Sequence, residues 1–329
     1  MIVQIPNRLN GKTFYEEVLP VVYYSIINED YNITFDMTKT ELANPEGIIN
    51  LLVTALMIRN KYNSIPYLAI PKSEELQSYL NLTGFFAISK DYRCQVFSHD
   101  FQPIGINVNE KYKKFIPKIY GIFANENNNS HFDNVDKILK NIQIQFGEKT
   151  GFSTSIQYEL KLIYDLLHTS ISQLIKNVLE HNQKNNHPCL GYYMAQKTPY
   201  NTIEIVFSDC GIGYWKRILE MLEQNIDHDG KLYRHREIES KLKTNEYVFK
   251  KHQENPNLVA IEAAVNYRND SKIPGIYQIM RYALDREGRF FIHSGNYSRL
   301  YSNESNYAKF HEDSYFSGSH IKVEIPLNY

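Results

Sequence analysis

YELKLIYDLLHTSISQLIKNVLEHN, residues 158–182, decides how the rest of the chain is read. Ile163, Leu166, Leu167, Ile171, Leu174, Ile175, Val178 and Leu179 recur at helical spacing, which predicts an amphipathic helix. Gln173, Asn177 and His181 stand four residues apart and form one polar row beside that stripe, with Glu180 just off it. Short amides are mildly unfavourable inside helices, because their side chains compete for backbone hydrogen bonds. Asn177 therefore needs an explanation, and the choice is between a solvated face and a ligand.

Downstream, residues 190–196 and 202–207 read as two strands joined by the proline-containing turn KTPYN. The second strand runs directly into Ser208-Asp209-Cys210-Gly211-Ile212-Gly213. Two glycines after an aspartate at a strand end make a turn where backbone can approach a ligand closely. A carboxylate there can accept a hydrogen bond from an exocyclic amine. Residues 214–274 lack a strong period and are rich in Arg, His, Lys and Glu, with helices expected at 215–224 and 258–266. Long irregular insertions of this kind are usually functional or disordered. Gly275 then precedes the helix IYQIMRYALDRE, whose first N–H groups point beyond its N-terminus. Gly288 closes that helix, the strand RFFIHSG follows, and Gly318-Ser319-His320 leads into a last alternating strand, IKVEIP.

Upstream, residues 2–5, 31–37 and 65–70 predict strands, and residues 14–26 and 73–80 predict helices. The stretch 46–61, EGIINLLVTALMIRNK, is apolar all along and predicts a helix buried on much of its surface. Strand, helix, strand, helix of this length suggests a small α/β unit over residues 1–105. Residues 106–150 read as a connecting segment. Within it, residues 111–123 mix basic and aromatic side chains but are balanced by nearby acids, so a surface strand is favoured over a nucleic-acid contact. The polar tract NENNNS at 125–130 reads as a loop, and residues 133–146 as a helix.

Composition bounds the partners. With 329 residues, 43% hydrophobic and 22% charged, the chain is long enough for two cores of ordinary size. A formal net charge of −1 gives no general attraction to nucleic acid or an anionic membrane. Three widely spaced cysteines, Cys94, Cys189 and Cys210, argue for a reducing compartment rather than a disulfide framework. With no signal-like N-terminus and no apolar run of membrane-spanning length, the expectation is a soluble, cytoplasmic protein. The abundance of Tyr, Asn, Ile and Lys hints at an AT-rich bacterial source. His181, His187 and Cys189 match no standard zinc spacing, and neither GxSxG nor GxxxxGK[ST] occurs.

Two resemblances follow from these segments. The strand ITFDM, the loop TKTELANPEG, the helix IINLLVTALMIRN, the strand IPYLAIP and the helix ending in YLNLTGFF together resemble a STAS domain, the small α/β module of anti-sigma-factor antagonists. Such domains are often phosphorylated on Ser or Thr near the start of that helix. Here Thr38 and Thr40 lie in the loop and Asn44-Pro45-Glu46 occupies the approach, so a docking or dimerising module is favoured. Over residues 151–329, the ordered set QLIKNVLEH, DCGIG, PGIYQIMRYA…REGRFFIHSG and SGSHIKVEIP resembles the GHKL (Bergerat-fold) ATP-binding domain. DNA gyrase B, the large heat-shock chaperones, histidine kinases and anti-sigma-factor kinases share that domain. The fold class this implies is α/β (α+β), with a STAS-like domain followed by a GHKL two-layer α/β sandwich.

The second resemblance implies roles for particular residues. Asn177 matches the helix asparagine that holds Mg2+ at the ATP phosphates, and an oxygen ligand suits that ion. His181 falls where a basic residue often lies near the phosphates. Asp209 matches the carboxylate that reads the adenine amine, with Gly211 and Gly213 shaping the pocket and Ser319 supporting the network. Gly275 matches a glycine motif that holds phosphates, and residues 214–274 would contain the lid. Gln173 stands where the family usually has the glutamate general base. Glutamine cannot take a proton at neutral pH, and losing such a base costs on the order of a hundred- to ten-thousand-fold in rate. A natural slow ATPase and an introduced trapping substitution both fit. The expectation is a bacterial ATP-binding regulator whose lid closure gates contact with a protein partner, in signalling or in phage or stress defence. Alternatives are an anti-sigma-factor-like serine/threonine kinase, and a slow ATPase that forms a homodimer on binding ATP. His168 lies too near Asn177 on the same helix to be a histidine-kinase phosphoacceptor.

Overall fold

The computed structural model describes residues 1–91, 93, 95–101, 116–124, 128–145, 154–181, 188–225, 231–243, 250, 256–265 and 275–327. In the N-terminal part, β1 (Ile2–Gln4) and β2 (Arg8–Leu9) lead into a helical run. That run begins as α1 (Gly11–Thr13), passes through a π-turn at Phe14–Val18, and ends as α2 (Leu19–Ile27). Then come β3 (Thr34–Asp36), β4 (Leu42–Ala43), α3 (Pro45–Tyr62), β5 (Tyr67–Ala69), α4 (Glu74–Thr83) and α5 (Phe85–Ser89). The strands form a parallel sheet of order β1-β3-β5 and a separate parallel pair β2-β4. The pair β2-β4 was not legible as strands, being two residues long each.

The rest of the chain adds β6 (Tyr120–Phe123), α6 (Asn128–Gln145), α7 (Thr154–His181), β7 (Cys189–Lys197) and β8 (Thr202–Asp209). Three helices follow, α8 (Gly213–Gln224), α9 (Lys231–Lys243) and α10 (Asn257–Val265), and then α11 (Gly275–Leu284). The chain ends with β9 (Arg289–Gly295), β10 (Tyr297–Ser302), β11 (Tyr307–Phe310) and β12 (Phe316–Pro326). The seven later strands pair in the order β11-β10-β9-β12-β8-β7-β6, antiparallel throughout. The last strand is thus central: β12 lies between β8 and β9. The fold is mixed α/β, with N-terminal parallel sheets and helices and a C-terminal seven-stranded antiparallel sheet with helices.

Both faces of the large sheet are covered. On one face Ile203, Ile205 and Phe207 of β8 and Ile321, Val323 and Ile325 of β12 pack with Leu174, Ile175 and Val178 of α7 and Ile276 and Ile279 of α11. Strand alternation turns Tyr192, Met194 and Val206 to the opposite face, where they join the N-terminal core. The helix that fills that side is α3. Asn44 caps it by accepting the Gly47 N–H at 2.8 Å, Pro45 occupies its first turn, and Asn63 ends it in the left-handed region at φ 52°. Every residue from Pro45 to Ile58 is buried. A helix apolar all round has to be enclosed, and α3 is enclosed between the N-terminal elements and the large sheet. No helix among the described residues is long and apolar enough to cross a membrane.

Candidate functional site

Asp209 ends β8, and the register of the sheet sets Ser319 of β12 directly opposite it. Both side chains share the helix-covered face, since Asp209 continues the alternation Ile203, Ile205, Phe207. Asp209 is only 7% exposed. One carboxylate oxygen accepts the Gly211 N–H at 2.7 Å, and the other accepts the Ser319 hydroxyl. The Ser319 backbone N–H also bears on the carboxylate, and of the four acceptor sites of its two oxygens these three donors leave one for a further donor. Burial pushes the Asp209 carboxyl up to about 6, against the pull of those hydrogen bonds.

The turn that follows is tightly built. Gly213 has φ +73°, and a Cβ there would lie 2.7 Å from the Ser317 carbonyl oxygen. At Gly318 a Cβ would fall 1.8 Å from the Asp209 carbonyl oxygen, so only glycine lets β12 come this close. A register shift between Phe316 and Ser319 accompanies that approach. Ser294, at the end of β9, accepts the Tyr214 N–H at 3.3 Å and donates to the Gly318 carbonyl at 2.9 Å. One hydroxyl therefore ties the start of α8 to the bend in β12. Tyr214 is half-buried with its phenol near Asp209, and that phenol is raised first by desolvation and then by the carboxylate charge. Sequence reasoning did not single out Ser294 or Tyr214. The only signal was the small residue before Gly295 in RFFIHSG, whose role depends on strand register.

The α7 residues complete the picture. Gln173 and Asn177 are half-buried, one turn apart, beside the core-forming Leu174, Ile175 and Val178. Neither has a hydrogen-bond partner among the described residues. His181 closes the helix, and its side chain lies outside the described residues. Gly275 opens α11 as expected, with residues 266–274 before it outside the described ones. Residues 214–274, read as largely irregular, contain α9 as well as the two expected helices. Its sequence, KLYRHREIESKLK, is polar on all sides and carries no period to read.

The N-terminal part reaches this turn from behind. Cys210 donates its N–H to the Leu190 carbonyl at 3.0 Å, which seats it against β7. From α3, the Asn60 amide reaches the Cys210 sulfur at 3.5 Å and donates to the Cys189 carbonyl at 3.4 Å. No group of three or more His, Cys, Asp or Glu placed to hold a metal ion occurs among the described residues. Magnesium does not require such a cage, because it keeps waters and takes one or two protein oxygens beside phosphates.

No protein-family model matches the chain, and comparison with curated proteins finds no relative.

Proposed function

We propose that the chain is an Mg-ATP-binding regulatory protein in which nucleotide occupancy is felt by the N-terminal part. The observation that carries this reading is the buried Asp209–Ser319 pair, set across two central strands beside the Gly211–Gly213 turn. A carboxylate held in the interior with an acceptor site left open suits the exocyclic amine of adenine. Gly213 and Gly318 let the turn and β12 pack backbone to backbone beside it. Asn177 would offer its amide oxygen to magnesium, which would bridge the phosphates and offset their charge. Gln173 would orient a water without taking its proton, which favours binding with slow turnover over rapid hydrolysis.

The link to regulation rests on α3. It packs against the back of the same sheet, and Asn60 touches the residue between Asp209 and Gly211. A shift of the turn when nucleotide binds would alter that contact, and closure of elements within 214–274 would change the surface offered to a protein partner. Isothermal titration of the full chain with ATP and magnesium tests the reading. Binding that is lost in Asp209→Ala is the expected result. Absence of binding, or equal binding by the variant, would refute it.

A further inference from the structure

A second cavity, of about 450 Å3, lies on the other face of the sheet from Asp209, between the start of the N-terminal helical run and strands β9 to β12. That volume is ordinary for a small-molecule site. Its two ends carry opposite charge. At the β12 end, Lys322 is shared by Glu46 at 3.2 Å, Glu204 at 3.2 Å and Glu324 at 2.9 Å, three carboxylates against one ammonium. Glu46 is 9% exposed and lines the cavity; one oxygen holds Lys322, and the other has no partner among the described residues. Gly11 makes room for that second oxygen, since a Cβ there would meet it at 1.9 Å. At the other end the balance reverses. Lys309 is held by Glu16 at 2.6 Å and Lys12 makes no ion pair among the described residues, while Arg289 stands opposite Glu324 across the β12–β9 pair and belongs to the acidic end.

The walls between these ends are Tyr15, Phe291, Leu300 and Tyr307. Aromatic faces beside surplus carboxylate are the surroundings an organic ammonium prefers. His311, 8% exposed, also lines the cavity, and its Nε2 is engaged with the Ser298 hydroxyl at 2.9 Å, which leaves Nδ1 for a ligand. We infer that this cavity binds a small zwitterion of the α-amino-acid class, its ammonium on Glu46 and Glu324 and its carboxylate toward Lys12 at the Lys309 end. The site joins residues from both ends of the chain, so its occupancy would brace the N-terminal helical run against the sheet.

Titration calorimetry of the full chain with each standard L-amino acid, beside the primary amine that lacks the carboxylate, tests the assignment. The expected result is binding of at least one amino acid in the millimolar range or tighter. Its decarboxylated amine, Glu46→Gln and Lys12→Glu should each weaken binding by about tenfold or more, as loss of a charge-assisted contact does. Lys12 is exposed, so its variant keeps the fold even where Glu46→Gln does not. Leu300→Trp fills the cavity without changing charge and should abolish binding while circular dichroism stays unchanged. Failure of every amino acid to bind overturns the inference. Equal binding of the bare amine does the same, as does binding that survives both Lys12→Glu and Leu300→Trp.

Discussion

Burial raises the Asp209 carboxyl to about 6 from an ordinary 3.8, so the folded protein keeps a proton that the unfolded chain has already lost. Stability therefore falls as pH rises through that window, and above it the folded state is worse off by on the order of 2–3 kcal/mol. Asp209→Asn removes that penalty. In urea titrations at neutral pH it should be more stable than the parent by about 2 kcal/mol, with the difference gone below about pH 4. A residue retained at such a cost is a candidate for function. Gly318→Ala should act the other way, because its Cβ would press on the Asp209 carbonyl. A loss of about 1–3 kcal/mol or more is expected, read from the same denaturation curves. At this scale Asp209, Gly213 and Ser319 were legible because turn and strand-end chemistry is local. Ser294 and Tyr214 were not, because their pairing exists only once β9, β12 and α8 are in register.

Among the elements, α7 was legible to within four residues at its start and one at its end, read at 158–182 and found at Thr154–His181. Its long apolar stripe is the strongest kind of sequence signal. The helix α3 was also legible, but not what encloses it. Strand β7 is buried at Cys189 through Ala195, on both faces, and a continuous apolar run does not say what lies on either side. That Tyr192, Met194 and Val206 would share a core with Leu52 and Phe97 could not be read from the chain. Leu52 is fully buried, so Leu52→Ala should accordingly cost about 2–5 kcal/mol through the cavity it leaves. On α7 the expected outcome concerns rate. Gln173→Glu should speed phosphate release by on the order of a hundredfold or more if that position faces the attacking water. A steady-state phosphate assay checks it, and an unchanged rate would remove Gln173 from that position.

Over the whole molecule, the two ends of the chain meet through rings. Tyr15 stacks on His293 at 4.6 Å and lies edge-on to His320, while His311 packs against His293 at 5.1 Å. Burial holds His293 down to about 3 and His311 to about 4, and keeps His320 well below its usual 6.5. Among the described residues, Lys309 and Glu16 bear on His311, and the histidines bear on one another, His311 on His293 and His293 on His320. All three imidazoles are thus neutral when folded and protonated near pH 6 when unfolded. The stability they contribute is complete above about 6.5 and lost as pH falls toward 4. Across that interval the three histidines should contribute a slope of up to three protons to the denaturation free energy, opposed by one from Asp209, and His293→Phe should lessen their share. Nothing in a net charge of −1 foretells this, because it arises from which histidines the junction encloses.

The central claim is the location of a nucleotide on the helix-covered face of the sheet. A crystal structure with magnesium and a non-hydrolysable ATP analogue tests it most directly. The adenine amine should lie within hydrogen-bond distance of Asp209 and the metal on the Asn177 amide oxygen. Nucleotide seated elsewhere, in the charged cavity beside Lys322 or on the outer surface, with Asp209 still bonded only to Gly211 and Ser319, would contradict it.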